Sequence, residues 1–187
     1  MKSPSQFIVK PCNNKRYENT KKIGDIDFVV SSSEEDHKAS NRYAEVISTP
    51  IDYKGEVEKG DILLVHHNVF KYYNDIKGRR KSGRSFFKDN LFFLDNDQYF
   101  MYKKNGKWNA HDRYCFISPH PVIETYIYKP LTEEPMMGVM EYPNEYLKSK
   151  GVKKGDSVLF SAHNKYEFIV DGKKMYRMFD HQISAIL

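Results

Sequence analysis

Apolar positions in this chain occur in short runs that turn residues separate. Ile62–Val65 follows Lys59–Asp61, and Val158–Phe160 follows Lys154–Asp156. Lys-Gly-Asp ahead of an apolar run is typical of a turn that leads into a strand, because glycine can take a positive φ. A helical pattern is confined to 145–149. The pattern therefore predicts an all-β protein whose short strands form a small barrel or sandwich.

The same short blocks occur twice along the chain, in the same order. The clearest pair aligns Val57–Val65 with Val152–Phe160. The other pairs are Phe7–Pro11 with Tyr126–Pro130, Ala44–Val46 with Gly138–Met140, Leu94–Met101 with Val170–Arg177, and Asp112–Ile117 with Asp180–Ile186. Because ordered recurrence indicates repeated structural units, we predict two tandem domains, 1–120 and 121–187.

On this alignment the first domain carries additions that the second domain lacks. They are the first loop (residues 12–43), a basic insertion (66–93) and a hairpin extension (103–110). The first loop is too polar to order itself, but it contains one β-prone apolar segment, 23–30. Such a tether is typical of a recognition element that folds on binding. The alternative is that Ile26–Val30 is an ordinary strand of the first barrel, but a strand that the second domain lacks is less expected to be essential core.

Composition narrows the class of protein. The chain has 187 residues, a formal charge of +5, and two cysteines, Cys12 and Cys115. Two cysteines cannot form a disulfide framework, which favours a reducing cytoplasm. No apolar run approaches the roughly 20 residues of a membrane span, and no secretory signal follows Met1. We therefore expect a cytoplasmic protein without a membrane partner.

The sequence offers little for catalysis. It contains neither a G-x-G-x-x-G motif nor a cysteine ligand cluster. His66, His67, His111 and His120 have no recognisable ligand spacing, and adjacent histidines on a strand point to opposite faces. We predict no enzymatic activity, no metal and no cofactor.

A basic segment supports a competing hypothesis. Five of the eight residues in 77–84 are Lys or Arg, and Phe86 and Phe87 follow them. Basic loops with aromatic residues can follow a phosphate backbone and stack bases. The alternative function is therefore a nucleic-acid-binding small-barrel protein that uses the 77–87 loop. A charge run is more often simply a solvated loop.

Taken together, the blocks resemble the GroES-type co-chaperonins, the chaperonin-10 family. Val152–Phe160, Val170–Gly172 and Ile183–Leu187 are similar to that family's closing strand, hairpin and terminal strand. Val9–Pro11 and Ala44–Val46 are similar to the strands that flank its mobile loop. The resemblance implies two tandem GroES-like small β-barrels. In the first, the loop is the mobile loop and the 66–93 insertion replaces the family's roof hairpin; the second lacks the loop.

The resemblance also implies a function. It describes a co-chaperonin that forms a ring, caps a GroEL-type chaperonin and assists ATP-dependent folding of an unfolded client protein in the cage. The divergent, Lys-, Tyr- and Asn-rich sequence would suit a virus-encoded protein acting in the host cytoplasm. The implied chaperonin-binding residues are Ile23, Gly24, Ile26, Phe28, Val29 and Val30.

The loop departs from the family pattern at its apolar segment. Gly24-Asp25 stands where the family has two glycines, and Asp27 interrupts the aliphatic triplet. Two docking edges remain open at this stage, Ile26 with Phe28 or Phe28–Val30, and the length of the loop favours the second.

Overall fold

The computed structural model describes residues 1–17, 20–23, 26–29, 39–120, 133–161 and 165–187. These residues are mainly strands, so the all-β prediction is confirmed. Within them the one α-helix is α1, Glu145–Ser149. Contacts divide the chain into two units, Met1–Lys107 and Trp108–Leu187. The division thus lies before the residue 120 that the block alignment predicted.

Among the described residues, ten strands belong to the first unit. They are β1 (Phe7–Pro11), β2 (Thr20–Ile23), β3 (Ile26–Val29), β4 (Tyr43–Ser48), β5 (Ile62–Val65), β6 (Tyr72–Asn74), β7 (Arg80–Ser82), β8 (Phe86–Lys88), β9 (Leu91–Leu94) and β10 (Tyr99–Lys104). Strand β11 (Lys107–Ala110) contains the boundary between the units. The second unit has β12 (Tyr114–Pro119), β13 (Met137–Tyr142), β14 (Ser157–Phe160), β15 (Tyr166–Val170), β16 (Lys173–Phe179) and β17 (Ile183–Ile186).

The main sheet of the first unit has the order β10-β5-β4-β1-β9-β8. Its core is apolar because alternate residues of each strand point to the same side. Phe7, Val9, Leu63, Phe92 and Tyr99 are all nearly inaccessible to solvent. The separate pairs β2-β3 and β6-β7 lie outside this sheet, in the connections between its strands.

The sheet of the second unit has the order β17-β14-β13-β12-β16-β15. Its core contains Cys115, Ile117, Met140 and Val158. Helix α1 adds Leu147 to this core. The sequence starts the helix there because Asn144 is an N-cap whose side chain accepts a hydrogen bond from the Leu147 backbone N–H at 2.9 Å.

The two sheets match in strand order and in register. Across β1 and β4, Val9 pairs with Val46, and across β12 and β13, Ile117 pairs with Met140. Both pairings have a β-bulge immediately before this pair. Such bulges bend a strand locally. The equivalent strands β1 and β12 thus bend at the same place. Cys115–Pro119 has the position in the second sheet that Phe7–Pro11 has in the first.

The turns before β5 and β14 match as well. The Asp61 carboxylate accepts a hydrogen bond from the Glu58 backbone N–H at 2.8 Å, and that of Asp156 accepts one from the Lys153 N–H at 2.8 Å. The glycine before each aspartate has a φ of 93° or 96°. The prediction that Lys-Gly-Asp forms a turn into a strand is therefore confirmed at both places.

The sheet positions revise the alignment of the blocks. Ala44–Val46 and Val57–Val65 do match the second-unit blocks assigned to them. Tyr126–Pro130 lies outside the described residues. The remaining two block pairs do not match, because the strand of the second sheet that is equivalent to β10 is β17. Each of these two strands follows a 3-10 turn, Asn96–Gln98 before β10 and Asp180–Gln182 before β17. Turn-and-strand patterns are too common in an all-β chain for local similarity to fix their pairing.

Two further expectations need revision. In the described part of the chain each main sheet is open, and no closed barrel is found, since β8 and β15 end their sheets without meeting the opposite edge. In addition, β12 leads to β13 through residues 120–136, the place in the sheet that 12–42 occupies between β1 and β4. The block alignment had predicted only the seven residues 131–137 for that connection in the second domain.

Candidate functional site

The base of the first loop is closed by one buried amide. Asn41 is 1% exposed, and its Nδ2 donates to the carbonyls of Cys12, at 3.0 Å, and Lys15, at 2.7 Å. Its Oδ1 accepts from the Tyr43 N–H at 2.8 Å, and its own N–H donates to the Arg16 carbonyl at 2.9 Å. Because a buried amide needs partners for both ends, this side chain joins the outgoing and returning segments of the loop.

The pairing continues one step outward. Tyr17 and Ser40 form an isolated antiparallel bridge. The Ser40 hydroxyl donates to the carbonyl of His67 at 2.9 Å, which connects the loop to the start of the insertion. We call Cys12–Tyr17 with Ala39–Arg42 the neck of the loop.

Arg16 fixes the neck to the insertion. Its guanidinium carbon lies 4.2 Å from the ring centre of Tyr72, 4.6 Å from that of Phe92 and 5.0 Å from that of Phe86. Its Nη1 donates to the Ser82 hydroxyl at 2.9 Å. All three distances fall within the range of cation–π attraction. Burial lowers the pKa of Arg16, although the guanidinium stays charged at neutral pH.

Tyr72 is the counterpart of Arg16 on the insertion. Its backbone N–H donates to the Tyr17 hydroxyl at 2.8 Å, and the two rings are stacked with centres 5.9 Å apart. The guanidinium carbon of Arg80 lies 3.7 Å from the Tyr72 ring centre. The ring is thus surrounded by two arginines and a tyrosine.

The insertion has its own internal supports. The Asp75 carboxylate accepts from the backbone N–H groups of Lys77 and Arg79, each at 2.9 Å, which forms the turn between β6 and β7. The Gly83 N–H donates to the Lys71 carbonyl at 2.9 Å. A Cβ at Gly83 would lie 3.0 Å from that oxygen, so any other residue would require this backbone to shift by a few tenths of an ångström.

The predicted chaperonin-binding residues extend beyond the neck. Strands β2 and β3 form a separate antiparallel pair in which Ile23 is opposite Ile26 and Lys21 is opposite Phe28. The segment from Ile26 is therefore not a strand of the main sheet, which was the alternative for it. Of the six predicted residues, Gly24 and Val30 lie outside the described residues.

The aromatic residues beside the basic segment are already packed. Phe86 makes an edge contact with Phe92, with ring centres 5.7 Å apart, and Phe87 packs on Phe93 at 4.5 Å. Stacking of nucleic-acid bases requires an accessible aromatic face. These contacts occupy part of the rings, but Tyr73 on the same insertion is 48% exposed, so the nucleic-acid hypothesis keeps an accessible aromatic residue beside the basic charges.

The adjacent histidines His66 and His67 do not have the opposite orientations expected of neighbouring residues on a strand. His66 and His67 lie in the turn after β5, and their ring centres are 4.1 Å apart, so the predicted opposite orientation is wrong. No group of three or more His, Cys, Asp or Glu able to hold a metal occurs among the residues that the structure describes. Burial raises the pKa of the Cys115 thiol to about 12, which disfavours the thiolate.

The second unit closes its equivalent connection by a different chemistry. The Glu134 N–H donates to the His120 carbonyl at 3.4 Å. The Glu133 carboxylate accepts from Lys174 Nζ at 2.6 Å and from the Tyr176 hydroxyl at 2.5 Å. Burial opposes ionisation of Glu133, but these two hydrogen bonds outweigh it and lower its pKa.

Sequence reasoning missed the neck residues Arg16, Tyr17 and Asn41 and their counterpart on the insertion, Tyr72. A signal was present, since Arg16-Tyr17 is a cation–aromatic pair in an otherwise polar loop and Tyr72 belongs to an aromatic pair inside the basic insertion. Tyr17 and Tyr72 are 55 residues apart along the chain, and Arg16 and Ser82 are 66 apart. Nothing in the local pattern could join them.

Comparison with known proteins identifies no family. No protein-family model matches the chain, and no curated protein matches it. Among the described residues no helix is long and apolar enough to cross a membrane.

Proposed function

We propose that this protein is a co-chaperonin that caps a GroEL-type chaperonin through the first loop and assists ATP-dependent protein folding. The observation that carries the proposal is the β2–β3 pair, which stands apart from the main sheet and leaves it through a closed neck. A strand pair outside the main sheet that contains the apolar residues Ile23, Ile26, Phe28 and Val29 is suited to pairing with a groove on a partner. The GroES-like order of blocks supplies the identity of that partner.

The architecture also supports a tandem origin for the two units. They have the same strand order, the same bulged register and the same aspartate turn. Independent sheets would have no reason to agree in all three features. We infer that one GroES-like unit was duplicated.

The register favours one of the two docking edges. Residues opposite each other in an antiparallel pair belong to the same face, and successive residues alternate between faces. The pairing of Ile23 with Ile26 therefore assigns Ile23, Ile26 and Phe28 to one face and Val29 to the other. We infer that Ile26 with Phe28 forms the docking edge.

Self-association would make weak loops effective. A loop that orders on docking binds with a reduced affinity, because ordering costs conformational entropy. Several loops on one ring compensate through effective concentration. Strand β17 is suited to such assembly, since it ends the second sheet and its Ile186 is 47% exposed. An exposed apolar edge strand is a template for another chain.

The test measures the ATPase of a GroEL-type chaperonin and its refolding of a client, with particle size determined in the same sample. The chain is expected to slow the ATPase, promote refolding and migrate with the chaperonin. Replacing Ile26, Phe28, Val29 and Val30 by Ser should abolish all three effects and leave the fold intact. Lys22→Ser, within the same strand pair, is the matched control and should retain them.

Two outcomes would contradict the proposal. Undiminished capping by the four-serine variant would refute the assignment of the loop. If the unmodified chain affects neither ATPase nor refolding, the co-chaperonin function is wrong. A steeply salt-dependent affinity for single-stranded nucleic acid would then support the alternative based on 77–87.

A further inference from the structure

We propose that the insertion between β5 and β9 is a brace that orders the neck of the first loop before any partner binds, with Arg16 as the positioning residue. We define the brace by Tyr72, Ser82 and Phe86. The inference deepens the proposed function, since it concerns how the docking segment is presented. It rests on contacts within the first unit that the docking role itself does not use.

The contacts run from loop to brace at several independent points. The Arg16 guanidinium contacts all three brace residues. It lies over the rings of Tyr72 and Phe86 and donates to the Ser82 hydroxyl. Tyr17 accepts a hydrogen bond from the backbone of Tyr72. Further along, the Asn90 side chain donates to the carbonyl of Asn14 at 3.3 Å. A solvated basic loop without a structural role would not make this series of contacts.

Arginine is suited to this position for a physical reason. Its planar guanidinium can stack on aromatic rings and donate in its own plane at the same time, whereas the ammonium group of lysine cannot stack in this way. Arg16 does both, because it lies against the Tyr72 ring and donates to Ser82. The side chain therefore specifies the direction in which the loop leaves the sheet, in addition to holding the two segments together.

Ordering the neck in advance has a consequence for binding. Every residue that must be fixed on docking reduces the observed affinity, and pre-organisation removes that cost. With the neck fixed up to the Tyr17–Ser40 bridge, its residues need not be ordered when a partner binds. The brace thus sets the affinity of each loop without touching the partner.

The experiment compares three arginine variants of the full chain. Arg16→Ala removes the brace contacts, and Arg16→Lys keeps the charge but not the planar group. Arg79→Ala, an exposed arginine on the same insertion, is the matched control. Hydrogen exchange of the Asn41 amide and of the amides in 20–29 is measured in the free chain, with urea unfolding as a check on the global fold.

We expect exchange at these amides to accelerate by about tenfold in Arg16→Ala, by a similar amount in Arg16→Lys, and to stay unchanged in Arg79→Ala. Ser82→Ala, which removes a single acceptor, should accelerate it by about twofold to threefold and guards against a variant that fails to fold. Equal exchange in Arg16→Ala and the unmodified chain would overturn the brace. So would full rescue by Arg16→Lys, since a point charge would then be sufficient.

A second measurement separates this inference from the proposed function. Chaperonin affinity of Arg16→Ala should fall by about tenfold, in proportion to the faster exchange. Unchanged affinity alongside faster exchange would overturn the link between ordering and docking. If the unmodified chain binds no chaperonin, the proposed function fails, whereas the exchange data still decide whether the brace exists.

Discussion

The connection between β1 and β4 and the connection between β12 and β13 start from the same place in matching sheets, yet they are held in different ways. At the base of the first, the neutral amide of Asn41 and the stacked guanidinium of Arg16 make the contacts. At the base of the second, a carboxylate, Glu133, is held by Lys174 and Tyr176. The sheet fixes where a loop emerges. The side chains at the base of the loop determine whether the contacts that hold it depend on pH.

The largest effects should come from the cores that the two units have in common. Phe92 pairs with Val9 as Tyr176 pairs with Ile117, so the two aromatic residues occupy matching positions. Substitution of either by Ala should reduce the free energy of unfolding by about 3–5 kcal/mol, because it leaves a cavity in a packed core. Urea unfolding followed by amide exchange in each sheet measures both losses. A loss below about 1 kcal/mol at one of them would break the equivalence of the two sheets.

The next effect concerns the buried amide at the first neck. Asn41→Ala removes three side-chain hydrogen bonds and leaves the Cys12 and Lys15 carbonyls without this donor and the Tyr43 N–H without this acceptor. Unsatisfied buried groups cost about 1–3 kcal/mol each, so we expect a total loss of about 2 kcal/mol after local relaxation. Limited proteolysis within 12–43 should accelerate as well. Asn144→Ala, which removes the cap of α1, should cost a similar amount without faster cleavage of that loop.

A smaller and equal pair of effects is expected at the two aspartate turns. Gly60 and Gly155 have positive φ, and neither has an atom that would clash with an added Cβ. Alanine at either place should therefore cost about 1 kcal/mol through backbone conformation alone. The measurement is the urea midpoint of each single variant. Losses that differ by more than about 1 kcal/mol would show that the two turns are less alike than their geometry.

The smallest effect separates the two loop bases by pH. Since the pKa of Glu133 is lowered in the folded chain, its stabilisation is complete above the ordinary glutamate pKa of about 4.3 and is lost as the pH falls through the folded value. Glu133→Gln should flatten the acid side of the stability–pH curve. If Glu133→Gln loses stability at acid pH as the unmodified chain does, the two loop bases do not differ in their response to pH.

The sequence by itself determined the local structure of this protein. Lys-Gly-Asp before an apolar run was sufficient for the turns at Gly60 and Gly155, because a positive φ and a carboxylate beside free N–H groups are local requirements. The all-β class followed from short apolar runs for the same reason. The polar first loop with its apolar segment could also be identified from composition alone.

Only the tertiary structure decided which strands are partners and what holds the loop. Phe7–Pro11 has its equivalent in Cys115–Pro119, which the block similarity did not indicate, because register depends on bulges and on core packing across distant segments. The contact between Tyr17 and Tyr72 likewise joins residues far apart in the chain. Such contacts form only after the sheet has brought their segments together, so a local pattern carries no trace of them.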